Sequence, residues 1–180
     1  IFNTRMHNNL PKRYYFISNY NKANIIKQSK ETAIIYRNYE NKINKQEILK
    51  IKKICKERKI KFLISNAPKL AIGFNLDGLY IPSFNSRFEH LNYKYKKDFF
   101  ILGSAHNIKQ IKTKENQKVN LIFISSIFKK NKNFLGLMRF NNLTKLTNKK
   151  CIALGGISAK NKNLLRLTNS FGFAGISFFE

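Results

Sequence analysis

Eight short apolar runs, amphipathic stretches between them and connections mostly longer than hairpins predict an α/β fold, a (β/α)8 TIM barrel. Several runs are apolar at consecutive positions, as parallel strands covered on both faces require. The connections suit right-handed crossovers between such strands. A doubly wound open sheet is the alternative arrangement of the same units.

In chain order the predicted strands are YYFIS (14–18), AIIYR (33–37), KFLIS (61–65) and DGLYI (77–81), then FFILG (99–103), NLIFI (120–124), CIAL (151–154) and AGISFF (174–179). Between the second and third, KQEILKIKKICKERK (45–59) aligns Ile48, Leu49, Ile51, Ile54 and Cys55 on one helical face and gives the other to lysines. HNIKQIKTKEN (106–116) has the same character with fewer apolar positions. In CIALGGISAKNKNLLRL (151–167), a strand meets Gly155–Gly156 and a predicted helix, with Ser158 as its cap and Leu164, Leu165 and Leu167 as its apolar side. A strand–glycine–helix junction gathers free backbone N–H groups and favours anions, although Gly-Gly also serves plain tight turns. Residues 1–180 read as a single domain. The chain opens on Ile1 rather than Met, so a few N-terminal residues are expected to be missing. It is short for a barrel and reaches Glu180 directly after the last strand, so the barrel is expected to be short or to lack its last helix.

Composition narrows the function classes. The net charge of +26 admits a nucleic-acid or anionic-membrane partner. However, lysines run along the whole chain, and Lys, Asn, Ile, Phe and Tyr are overused together while Trp is absent. That joint skew favours a solvated basic surface over a nucleic-acid patch. Cys55 and Cys151 form neither a disulfide framework nor a metal cluster and are expected as buried thiols in a reducing, cytoplasmic setting. No apolar run approaches membrane-spanning length, so no membrane is expected.

The strand ends carry a resemblance. LDGLYIP (76–82), ILGSAHN (101–107), ISSIFKKNKNFLG (124–136), IALGGIS (152–158) and GFAGISF (172–178) resemble, in order, "ADGVHLG", "IGVSAH", "LGPIFPTxTK…LG", "AIGGI" and "GADGVAV". These are stretches of the thiamine-phosphate synthase family, which includes the TenI-type thiazole tautomerases. The resemblance implies thiamine biosynthesis: hydroxymethylpyrimidine diphosphate loses pyrophosphate, and the thiazole nitrogen of a thiazole phosphate captures the pyrimidine cation. Such a transferase site needs positive charge and Mg2+ over the leaving group and an anion cradle for the thiazole phosphate.

By the same resemblance, Gly155 and Gly156 face the thiazole phosphate, with Gly175, Ile176 and Ser177 as the opposite wall. Arg37 aligns with the family arginine of "QLR-K", whereas Ile35 and Tyr39 stand where glutamine and lysine are expected. Arg37 would bind phosphate bidentately; otherwise it is a surface arginine. Ser104 is implied as a catalytic hydrogen-bond donor to the diphosphate. His106 is implied among the substrate-binding residues, as a helix-start residue holding the loop rather than as the alternative, a general base. Asn66 and Asn85 occupy the positions of the two Mg2+-binding aspartates, so the metal affinity implied by the family should fall steeply. Lys129, Lys130 and Lys132 replace the threonine-bearing loop, and Lys130 and Lys132 are the catalytic candidates for neutralising the diphosphate without metal. The tautomerase histidine aligns with Ser126. Three readings follow: an active or weakened synthase, a catalytically dead barrel that still binds a phosphorylated thiazole or pyrimidine, and a basic nucleic-acid-binding protein.

Overall fold

Strands apolar on both faces must find cover inside and out, and a ring of parallel strands within helices provides it. A computed structural model describes residues 10–39 and 43–180. Its strands are β1 (Arg13–Ile17), β2 (Thr32–Tyr36), β3 (Lys61–Ser65), β4 (Gly78–Ile81), β5 (Phe100–Ala105), β6 (Leu121–Ser125), β7 (Lys150–Leu154) and β8 (Gly172–Gly175). They form a closed barrel in sequence order, every neighbouring pair parallel. Closure is made by β1 and β8, with Arg13 opposite Phe173 and Tyr15 opposite Gly175. The open sheet is thereby excluded.

Alternation along each strand divides the core in two. Phe16, Ile35, Leu63, Tyr80, Phe123 and Ile152 belong to the cluster that fills the barrel. Ile34, Ile64 and Ile122 belong to the outer cluster, together with Ile48, Ile51, Ile111 and Phe140 from the helices. Phe16, Tyr80 and Phe123 meet edge to face at 5.1–5.8 Å between centroids. These rings make a solid floor beneath the mouth. Tyr14 also meets Phe123 at 4.9 Å, but its buried hydroxyl finds no hydrogen-bond partner, and burial pushes its pKa up.

The helices are α1 (Lys22–Ile26), α2 (Lys45–Glu57), α3 (Pro68–Gly73), α4 (Ile108–Asn116) and α5 (Gly136–Thr144). Asn44 caps α2 by accepting from the Gln46 and Glu47 amides, and Asn107 caps α4 by accepting from Gln110. The two amphipathic helices expected from spacing are thus present. Both cysteines are free and buried, as expected, and burial pushes each thiol up to about 12. Among the described residues no helix is long and apolar enough to cross a membrane.

Two expectations are corrected. The last strand is Gly172–Gly175, not 174–179. Phe178 and Phe179 lie in a turn, where the Phe179 amide donates to Ile176 O at 2.9 Å, the Phe179 ring stacks on Phe173 and the Phe178 ring meets Phe173 edge to face. No α-helix starts at Ser158 either. Residues Lys162–Leu167 form a 3-10 turn that follows Asn161, and Leu164 and Leu167 are exposed. With only 3-10 turns in the β4–β5 and β7–β8 crossovers, the outer layer is thin there.

Candidate anion-binding mouth

Parallel closure puts the C-terminal ends of all eight strands on one rim, and every candidate residue lies on it or on a loop rising from it. Arg37 follows β2, anchored by its amide on Ile17 O at 2.7 Å. Its guanidinium lies 4.6 Å from the centroid of Phe16, a cation–π seat that fixes the fork over the aromatic floor. Burial raises the Tyr80 pKa, so the phenol stays protonated. The buried Tyr80 hydroxyl lies close to the Ser104 and Arg37 side chains, each of which pulls its pKa down. Arg37, Tyr80 and Ser104 thus converge from β2, β4 and β5.

Beside them the Tyr39 hydroxyl and Ser65 Oγ are 2.8 Å apart, and the Tyr39 ring meets Phe84 edge to face at 5.4 Å. Tyr39, which stands where the family has lysine, is therefore joined to the rim by a hydroxyl rather than by charge. His106 Nδ1 lies 2.8 Å from Ser125 O and 3.1 Å from Ser125 Oγ, while its amide donates to Gln110. That side chain ties the end of β5 to the end of β6.

The amides at the aspartate positions face one another. Asn85 Nδ2 donates to Asn66 Oδ1 at 2.5 Å, and Asn85 Oδ1 accepts the Arg87 amide at 2.8 Å. Both side-chain oxygens are therefore already engaged, and neither carries charge. The carboxylate in the adjoining cavity, Glu89, is paired with Arg87 at 3.4 Å. Among the described residues no group of three or more His, Cys, Asp or Glu could hold a metal. These residues do not fit Mg2+, a hard cation that seeks anionic oxygen.

The glycines divide by physical cause. Gly155 and Gly156 have φ of 103° and 75°, and an added Cβ would lie 2.4 Å from Ser126 Oγ and 2.5 Å from Lys129 N respectively. Their lack of a side chain is demanded by the 126–129 loop, whose Phe128 and Lys129 amides donate to Gly155 O. The packing of that loop therefore calls for glycine at both positions whether or not a phosphate approaches them. Gly175 differs: a Cβ there would meet nothing closer than Phe178 Cβ at 3.7 Å. Packing does not require glycine at 175, whereas close approach of a ligand to the backbone would. Ile176 and Arg37 line one cavity of about 100 Å3, so the β8 wall and the arginine share a cleft. Ser177 is exposed beside Ile176. Lys129, Lys130 and Lys132 are exposed on the loop above Gly155–Gly156, with the Lys129 carbonyl held by Ser126 Oγ at 3.0 Å.

Three contributions were not foreseen from sequence: the Tyr80 hydroxyl, the Phe16 seat and buried Lys114. Lys114 Nζ donates to Pro82 O, Asn85 O and Gln117 Oε1 at 2.8–2.9 Å, and Gln117 Nε2 donates to Asn85 O and Arg87 O. Together they clamp the loop that carries Asn85. Burial lowers the Lys114 pKa to about 8. Its position three residues after Ile111, on the inward face of α4, was the available signal.

An all-parallel closed ring of eight strands, with a seated guanidinium, hydroxyls and an open glycine wall gathered at its rim, is a (β/α)8 barrel with a candidate site at its mouth. The chain belongs to the thiamine monophosphate synthase family, whose model matches residues 19–179. It is 26% identical over 137 residues to the thiamine-phosphate synthase of Coprothermobacter proteolyticus, covering 73% of this chain and 64% of that protein. It is 27% identical over 143 residues to that of a Hydrogenobaculum species, covering 75% and 66%. The match thus spans about two thirds of these relatives. In fold it is similar to a thiamine phosphate pyrophosphorylase from Pyrococcus furiosus, with a TM-score of 0.76, 19% identity, and coverage of 94% of this chain and 87% of that one. The resemblance read from the five strand-end stretches is borne out.

Proposed function

We propose that this barrel binds a phosphorylated thiazole and a pyrimidine diphosphate and joins them with release of pyrophosphate, without a metal at Asn66 and Asn85. The convergence of Arg37, Tyr80 and Ser104 over the aromatic floor carries this reading. In the step, the pyrimidine methylene C–O bond breaks and its electron pair leaves with pyrophosphate; the thiazole nitrogen then donates its lone pair to the resulting cation. No proton need move. Arg37 would hold the diphosphate as a bidentate donor, Ser104 would donate to it, and Lys130 and Lys132 would fold over it to offset the developing charge. The backbone at exposed Gly156 and the wall at Gly175, Ile176 and Ser177 would receive the thiazole phosphate. His106 would act only by holding its loop.

The test is pyrophosphate release from both substrates in EDTA and in Mg2+. Equal release in both is expected, with Lys130→Gln plus Lys132→Gln lowering it by roughly tenfold or more. Release that needs Mg2+ would overturn the metal-free assignment. The engaged, uncharged Asn66–Asn85 pair also favours a second reading, a binder without turnover. Calorimetry separates the two: thiazole phosphate bound with no pyrophosphate released supports the binder, and no binding of either substrate sinks both. Competition with DNA addresses the basic surface, because a DNA binder should lose affinity steeply as salt rises.

A further inference from the structure

The opposite end of the barrel carries a second cationic site. Lys61 opens β3, Asp77 immediately precedes β4 and Lys96 lies before β5, so all three sit at the N-terminal face, away from the mouth. They border a cavity of about 340 Å3, twice the 170 Å3 beside Asn66 and Asn85. Lys52, Lys56 and Lys59 complete its rim. Lysine makes up 28 of the 180 residues, about one in six, yet five of the eleven that line this cavity. The two cavities at the mouth are lined by no lysine. The enrichment is therefore local and not a reflection of overall composition.

Charge balance within the cavity is unequal. Asp77 Oδ1 lies 3.3 Å from Lys61 Nζ and 3.9 Å from Lys96 Nζ, and its Oδ2 accepts the Phe62 amide at 2.9 Å. The single carboxylate is thus fully engaged by two of the five ammonium groups. No carboxylate among the described residues pairs with Lys52, Lys56 or Lys59. Lys52 and Lys56 stand one turn apart on α2, a like-charge pair that a helix does not favour. Lys59 sits in the left-handed region, φ 57°, where the chain turns from α2 towards β3 and brings its lysine to the same rim. The floor is different in character: Ile60, Phe62 and Leu76 are buried and apolar, and the Cys55 thiol there stays protonated.

We propose that this N-terminal cavity binds a polyphosphate chain, whether inorganic or carried by a nucleotide. Several linked negative charges would relieve the repulsion among Lys52, Lys56 and Lys59, which a single carboxylate ligand could not do. Lys61 and Lys96, pre-positioned by Asp77, would contact the same chain from the other wall. The apolar floor is where a nucleotide's ring would gain affinity over the inorganic chain.

Titration of the full chain with inorganic triphosphate and with ATP, followed by calorimetry and by amide NMR shifts, tests this. To exclude the mouth, every titration is run in the Arg37→Ala background, where the triphosphate binding that remains is the binding expected to respond to the cavity lysines. Lys52→Gln with Lys59→Gln removes no contact made within the fold and should weaken binding about tenfold. Removing two lysines elsewhere, Lys109→Gln with Lys145→Gln, should change it less than twofold. Shifts confined to 59–62 and 75–77 support the site. ATP binding tighter than triphosphate would assign a nucleotide, and equal binding the inorganic chain. Equal weakening by both lysine pairs, shifts centred on Gly156, or no binding in the Arg37→Ala background would each overturn the proposal. None of these outcomes depends on turnover at the mouth.

Discussion

Replacing Asn66 and Asn85 together by aspartate should create a divalent-metal site at a cost that the geometry lets us work out. The two side chains are 2.5 Å apart, nitrogen to oxygen, in a hydrogen bond that two carboxylates cannot make. Two unit charges relaxed to about 4 Å repel by about 1 kcal/mol in water and about 4 kcal/mol at the effective dielectric of a protein surface. Asn66 is exposed and Asn85 half-buried, which places the cost between those limits, at roughly 2 kcal/mol. For a chain of this size that lowers Tm by about 4–8 °C. The loss should appear only as pH rises through the carboxylate range, because one shared proton relieves it below. Mg2+ should restore the stability, by about 2.7 kcal/mol at a hundred times its Kd. Asn66→Asp alone keeps the Asn85 donor and should be nearly silent. Calorimetric melting in EDTA and in Mg2+ is the assay. A double variant as stable in EDTA as the parent, or indifferent to Mg2+, would refute the juxtaposition itself.

Gly175→Ala should leave the melting temperature unchanged but weaken thiazole phosphate binding at least tenfold, whereas Gly156→Ala, with positive φ and a backbone atom 2.5 Å from the new Cβ, should lower stability by about 1–3 kcal/mol. The stability difference between the parent and Lys114→Met should grow in the parent's favour as pH rises from about 8 to 10.5. Lys114 falls from 10.5 to about 8 in the fold, so its burial penalty, on the order of 3 kcal/mol, is present below the lower value and relieved above the higher. Parallel denaturation curves for the two proteins across that range would contradict the buried ammonium. Cys55 and Cys151, both pushed up to about 12, should resist thiol reagents at pH 8 in the folded chain and react at once in denaturant.

The strands were legible because each is a short apolar run whose neighbours are polar, and closure follows once eight of them must lie parallel. The end of β8 was not, since Phe178 and Phe179 continue the apolar run while their backbone turns away and their rings pack on Phe173, one edge to face and one stacked. Leu164, Leu165 and Leu167 suggested a packed helix, but a 3-10 turn leaves two of them exposed. At the mouth, residue types on matched stretches located Arg37, Ser104 and the glycines. Their partners came from other parts of the chain: Tyr80 reads locally as core, and nothing near Gly155 and Gly156 announces that Ser126 and Lys129, 29 and 27 residues earlier, would press on them. Lys114 was hidden for the opposite reason. Its charge suggests solvent, yet Gly103 leaves room for its stem and three oxygens receive its head.

The meeting of β1 with β8 has a bearing on ligand response. Arg37, after β2, and Ile176, after β8, line one cleft on either side of β1, so that cleft comes into being only when the hoop is fastened. An anion held there would act as a clasp between the first and last staves. Its binding should therefore slow amide exchange most at Arg13–Tyr15 and Phe173–Gly175, far more than in the strands on the other side of the ring.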